Sequence, residues 1–159
     1  MESPTIRRAV NADIPALLDL LIQVNMVHHN GRSDLFNGPA TKYGAEELRA
    51  ILADDSRPVF VWADSLDRVR GYVFCVLMRH PNDNILTDIR TLYIDDLCVD
   101  ENARGEHIGH ALFDRAVAHA REMGCYNVTL NVWTCNPQAL GFYEHLGMTP
   151  QKICMEKIL

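Results

Sequence analysis

Arg104 and Gly105 stand between a β-rich run, Thr91–Val99, and an apolar helical repeat that begins near His107. A helix N-terminus placed there offers unpaired N–H groups and the positive end of the helix dipole, a seat for an anion. Gly105 and Gly109 let a bulky phosphate approach the backbone, and Arg104 adds a fixed positive charge. An ordinary strand–helix turn also uses glycines, so spacing alone leaves both readings open. No Gly-Lys-Ser/Thr follows, which excludes a Walker loop, and the third glycine of a dinucleotide fingerprint is missing. Tyr143 lies on the same helical face as Ala139 and Leu146. Its hydroxyl is either a proton donor or the polar end of a core aromatic. Asp95 and Asp96 stand inside a strand pattern, where aspartate is disfavoured. A carboxylate buried there needs a reason, and proton transfer is one. His107 and His110 are three apart at a helix start, but no third ligand accompanies them and no metal is expected. Tyr43 and Trp133 are candidates for an aromatic wall, and His28-His29 borders a long polar loop.

The elements that must hold these residues follow from periodicity. Thr5–Val10 is a short extended start. Ile14, Leu17, Leu18, Leu21 and Ile22 fall at helical spacing behind caps at Asn11 and Asp13 and a first-turn Pro15. His28–Lys42 is a loop long enough to be functional. A short helix carries Leu48, Ile51 and Leu52 on one side. Val59–Ala63 and Gly71–Met78 read as a hairpin across Asp64–Arg70, and Thr91–Val99 is the next strand. A helix runs from about His107 to Gly124. Tyr126, Val128, Leu130 and Val132 alternate with polar residues as a strand. Asn136-Pro137 caps another helix that Gly147 closes, and Gln151–Leu159 reads as a last strand. The expected order is βααβββαβαβ, a mixed α/β sheet with helices packed on it.

A chain of 159 residues suits one domain, here 1–159. Its hydrophobic and charged fractions, 48% and 23%, are those of a folded globular protein. The net charge of -6 argues against binding a nucleic-acid backbone. No apolar run approaches the ~20 residues that cross a bilayer, so no membrane partner is expected. The opening MESPTIRRAV holds no apolar stretch of the secretory kind. Cys75, Cys98, Cys125, Cys135 and Cys154 form no CxxC pair and read as reduced, mostly buried thiols. Together these features suggest a cytoplasmic protein.

The series Arg104-Gly105-x-x-Ile108-Gly109-x-x-Leu112, followed by Val132, Asn136, Ala139, Tyr143 and Gly147, resembles the GNAT superfamily of acyl-CoA-dependent N-acetyltransferases. The element order is similar too, so the resemblance covers nearly the whole chain. One position departs from it: where the family pattern Gln/Arg-x-x-Gly-x-Gly/Ala has its first glycine, this chain has His107.

The resemblance implies a mixed, mostly antiparallel central sheet flanked by helices. It implies acetyl transfer from acetyl-CoA to a primary amine by direct attack in a ternary complex, without a metal. Leu97, Cys98 and Val99 would offer backbone hydrogen bonds to the pantetheine arm. Arg104, Gly105, Glu106, His107, Ile108, Gly109 and His110 would cradle the pyrophosphate. Asn136 would contact the pantetheine or cap its helix, and Tyr143 would protonate the leaving thiolate. Asp95 shares strand parity with Leu97 and Val99, which makes it the expected base or relay. Asp96, Trp133, Tyr43 and His29 are expected on the acceptor side. His107 is expected at negative φ in the first helical turn, its N–H facing the phosphate. The acceptor would be a small-molecule amine or a protein amino group, and a homodimer is a further expected partner. A different class of protein, a non-catalytic acyl-CoA sensor, would keep the phosphate cradle without needing Tyr143 or an acidic relay.

Overall fold

The computed structural model describes residues 3–159; Met1 and Glu2, part of the opening stretch read for a targeting signal, lie outside the described residues. Five strands form one sheet in chain order: β1 (Thr5–Arg8), β2 (Val59–Ala63), β3 (Val69–Met78), β4 (Thr91–Val99) and β5 (Asn127–Leu130). β1 to β4 pair antiparallel, and β5 pairs parallel to β4. Among the described residues no helix is long and apolar enough to cross a membrane.

Strand alternation divides the core between two faces. Val59, Val61, Tyr72 and Phe74 point to α1 (Ile14–Gly31) and α2 (Ala45–Leu52). Phe60, Val73 and Cys75 point to α3 (Ile108–Glu122), which buries Leu112, Phe113 and Ala116 against them. These strands are buried on both sides, so they read as continuous apolar runs. α4 (Pro137–His145) adds Tyr143 and, just beyond its end, Leu146 to the rim of the second face. Asn136 caps α4 by accepting from the Ala139 N–H at 3.3 Å, as its position before proline leads one to expect.

Several boundaries differ from the sequence reading. α1 continues through His28 and His29 to Gly31, so the long loop spans 32–44. Polar side chains at the end of a helix erase the apolar period before the helix itself stops. β3 starts two residues earlier, at Val69, and β5 is shorter than the alternation Tyr126–Val132 indicates. The expected last strand is absent: residues 151–159 form no strand and are all exposed. A strand needs a neighbour to bond, and among the described residues β5 bonds only β4. The exposure of Cys154, against the burial of Cys75 and Cys98, has the same cause.

Candidate active site

β4 outruns its parallel neighbour. Pairing begins at Thr91–Asn127 and ends at Ile94–Leu130, while β4 continues to Val99. Asp96 to Val99 therefore pair with β3 on one side, and from Asp95 onward the other edge of β4 is unpaired. An edge of alternating N–H and C=O groups can take an extended amide-bearing ligand as an added strand. Leu97, Cys98 and Val99 contribute backbone there. Their side chains serve the core instead: Cys98 is buried, with its thiol against the Leu20 carbonyl at 3.5 Å. Burial pushes that thiol up to about 12, so it stays protonated and is no nucleophile.

The free edge leads into a tight turn. Asp100 accepts from the Asn102 N–H at 3.0 Å, and Ala103 is buried beneath the turn. Arg104, Gly105, Glu106 and His107 are exposed just ahead of α3. Among the described residues no side chain caps α3, in contrast to α4. Its first-turn N–H groups, those of Ile108, Gly109 and His110, are thus directed at open space with the dipole behind them. Gly105 adopts φ +91° with nothing within 4 Å of where a Cβ would stand. Gly109 has a packing reason for lacking a side chain, since a Cβ would approach Phe142 Cζ to 3.2 Å. Ile108 is a core residue, and His110 pairs with Asp114 at 3.3 Å. Among the described residues no three His, Cys, Asp or Glu side chains gather closely enough to hold a metal ion.

His107 does not take the negative φ expected of it. It is the residue before α3 rather than its first helical residue, with φ 58° and ψ 22°. The turn from Gly105 into α3 needs a left-handed residue, which explains why glycine suits this position. Replacing His107 by glycine is therefore expected to stabilise the fold by about 0.5–1 kcal/mol, the relieved strain less the added chain entropy. Urea denaturation at neutral pH measures it; an unchanged or lower stability contradicts the strain.

The two aspartates do not face opposite sides. Phe74 pairs with Asp96 and Cys75 with Ile94, so Asp95 is the extra residue of a β-bulge. The bulge breaks the alternation on which the parity of Asp95 with Leu97 and Val99 rested. Leu97 and Val99 pack toward α3, whereas Asp95 turns to the loop beside α1. There its carboxylate accepts from the Tyr43 hydroxyl at 2.5 Å and from Lys42 Nζ at 3.0 Å. Burial and the Asp95 hydrogen bond push the Tyr43 phenol up, so it stays a donor. Asp96 is half-buried and accepts from the Tyr72 hydroxyl at 3.0 Å. Burial pushes the Asp96 carboxyl up to about 6, against the pull of that hydrogen bond. Tyr72 lies inside the Gly71–Met78 run and is not singled out by the sequence, because its contact with Asp96 depends on how β3 packs on β4.

Tyr143 is half-buried between Phe142 and Phe113, at ring distances of 5.0 and 6.2 Å. Its hydroxyl has no hydrogen-bond partner among the described residues. Burial raises its pKa, and the Asp96 charge adds to the effect, so the phenol is held protonated.

Loop 32–44 walls the remaining side. Trp133 meets Phe36 edge to face at 5.1 Å, and His28 lies 5.1 Å from the same ring. Trp133 keeps 42% exposure, enough to offer a face to a ligand. Burial, then the Lys42 charge, lowers the His28 imidazole and keeps it neutral. His29 is spent on the loop itself, its Nδ1 lying 2.7 Å from the Phe36 carbonyl. Phe36 and Lys42 escaped the sequence reading because the loop carries no period to place them, whereas His28 is named there with His29 and lies in the last turn of α1.

A free strand edge, an uncapped helix start, a raised carboxyl and a protonated phenol thus converge where β4 and β5 part. A model of the Acetyltransferase (GNAT) family matches residues 27–148. Blasticidin-S acetyltransferase of Streptomyces morookaense is 35% identical over 101 residues, 63% of this chain and 68% of that protein. Glucosamine 6-phosphate N-acetyltransferase 1 of Oryza sativa subsp. japonica is 38% identical over 66 residues, 42% of this chain; the match spans only 38% of the rice protein's length. The crystal structure of a mutant form of the BH1408 protein from Bacillus halodurans superposes with a TM-score of 0.93 at 30% identity, covering 98% of this chain and 99% of that one. By its site, its fold and these relationships, the chain belongs to the GNAT acetyltransferase family.

Proposed function

We propose that the protein transfers the acetyl group of acetyl-CoA to the primary amine of a small molecule, by direct attack in a ternary complex. The observation that carries this reading is the unpaired β4 edge running directly into the uncapped N-terminus of α3. The edge fits an extended amide arm, and the helix start fits a pyrophosphate at the end of that arm. Arg104 adds charge, and the left-handed turn at Gly105 and His107 keeps the backbone open to the anion.

Asp96 takes the proton that makes the acceptor's ammonium a neutral nucleophile. The amine nitrogen then bonds to the thioester carbon, and its second proton leaves to solvent. The carbon–sulfur bond breaks, and Tyr143 gives its proton to the departing sulfur. Asp95 has a different part in this scheme. Bound to Lys42 and Tyr43, it positions the acceptor loop rather than moving a proton. Trp133 and Phe36 wall the acceptor, whose small size is supported by the substrates named for the blasticidin-S and glucosamine 6-phosphate enzymes. The acidic balance of the chain favours a cationic acceptor. A cytoplasmic setting, where acetyl-CoA and free thiols are available, and a homodimeric state complete the proposal.

Acetyl-CoA should stabilise the fold. Binding only to the native state contributes about 2.7 kcal/mol at a hundredfold excess over Kd, a Tm rise of roughly 5–10 °C for a chain of this size. CoA should act similarly, and ATP and NAD should not. A melt that acetyl-CoA leaves unchanged contradicts the reading.

A further inference from the structure

We propose that Tyr72 is a positioning residue for acetyl transfer: its hydroxyl holds one oxygen of Asp96 and leaves the other for the acceptor's ammonium. The inference rests on the reading of Asp96 as the base and adds the β3 residue through which that base is set.

Tyr72 is fully buried, and its ring meets Phe74 edge to face at 4.8 Å. For packing alone a phenylalanine would serve at this position, as it does at Phe74 and, on the other face of the sheet, at Phe60. A hydroxyl carried into such a core must find an acceptor or forfeit its hydration. Tyr72 donates to Asp96 Oδ2 at 3.0 Å and, among the described residues, to nothing else. The register makes the contact. Tyr72 pairs with Cys98 and Phe74 with Asp96, so Tyr72 and Asp96 are diagonal neighbours on the face turned to α1.

The two carboxylates are provided for unequally. Asp95 accepts from the Tyr43 hydroxyl and from Lys42 Nζ. Asp96 accepts from Tyr72 alone among the side chains of the described residues. An ionised carboxylate has about four acceptor positions. Asp96 therefore keeps a place for an incoming ammonium, whereas Asp95 already holds that of Lys42.

Tyr72 donates without giving its proton up. Burial, then the Asp96 charge, raises its pKa well above the ordinary phenol value. A donor of this kind favours the charged form of its acceptor. The other groups around Asp96 leave that role to Tyr72. Lys42 pulls the carboxyl down, and the adjacent Asp95 pushes it up. The Cys98 thiol of β4, the Tyr143 phenol of α4 and the Tyr43 phenol of the loop all stay protonated. Arg57 lies 5.8 Å from the Tyr43 ring, away from any ion pair with Asp96. α1 and α2 turn apolar residues to this face, and the His28 imidazole of α1 is neutral.

The pH profile of Tyr72→Phe tests the inference. Losing a hydrogen bond to the charged form should move the rising limb of kcat/KM from about 6 to about 7 or above. At pH 6 the variant should then be about five- to fifteenfold slower than the parent, and above pH 8 within about twofold of it, with the KM for acetyl-CoA unmoved. In an Asp96→Asn background the same substitution should change activity less than about twofold, because it acts through the carboxylate. Replacing Tyr72 by 3-fluorotyrosine, a stronger donor of nearly the same size, retains the packing and should move the limb to lower pH. Carboxyl ¹³C NMR titration reads the Asp96 midpoint in parent and variant without turnover, which separates this inference from the acetyl-transfer reading. The midpoint should rise in Tyr72→Phe as the kinetic limb does. A midpoint and profile unchanged by Tyr72→Phe, or a loss of activity equal at every pH, overturns the inference and makes Tyr72 a core residue only.

Discussion

Replacing Tyr143 by phenylalanine is expected to lower kcat by about 10²–10⁴-fold, the usual worth of a positioned proton donor, and to leave acetyl-CoA affinity within a factor of about three. The hydroxyl has no hydrogen bond to lose among the described residues, so its removal strands no buried partner. Both rings that flank it remain. Stability should therefore change little, and the loss should fall on the step in which charge reaches sulfur. Acceptors whose attack limits the rate should feel the substitution less than those for which thiolate departure does. Steady-state kinetics with a chromogenic thiol trap, paired with titration calorimetry, separates the two effects. A variant that turns over like the parent makes Tyr143 a rim aromatic and nothing more.

Asp96→Asn should act on activity and stability in opposite directions. The parent's kcat/KM should rise with pH through about 6, where the carboxyl ionises. The asparagine variant should lose that step and fall by about 10²–10⁴-fold near neutrality, recovering as pH nears the amine's own ionisation. The folded-state value lies above the ordinary carboxylate range. Asp96 therefore favours the fold fully below the unfolded value, near 4, and that contribution is lost as pH rises through about 6. At pH 7 the ionised group is a liability of about 1–3 kcal/mol, so the neutral amide should raise Tm there and not at pH 4. Asp95→Asn should behave differently, loosening loop 32–44 and raising the acceptor's KM while the pH profile is kept. A shifted pH profile from Asp95→Asn alone would return the proton-transfer role to that residue.

The site was legible where chemistry and local structure share a residue. Arg104 and Gly105 stand between a strand and a helix in the structure as in the sequence pattern, and that order is what makes them candidates for an anion seat. Asn136-Pro137 likewise declares the start of α4. What stayed hidden depends on contacts between distant segments. The bulge at Asp95 arises from the register of β3 on β4, and that single extra residue puts Asp95 on the opposite face from Leu97 and Val99. The left-handed turn at His107 is set by how the chain leaves β4, which a helical period cannot report. Tyr43 was singled out as an aromatic wall, but its hydrogen bond to Asp95 joins positions 52 residues apart. Residues 151–159 carry apolar alternation but form no strand, because alternation does not by itself supply the neighbouring edge that a strand must bond.

The most direct test of acetyl transfer is to follow acetyl-CoA and a panel of primary amines together, measuring released CoA thiol and acetylated product by mass spectrometry in the same samples. The expected result is thiol and N-acetyl product in equal amounts with at least one cationic small amine, and no acetyl group retained on the protein. Tight acetyl-CoA binding with no thiol released by any amine, free or in a peptide, would contradict the account and leave a protein that senses the donor without using it.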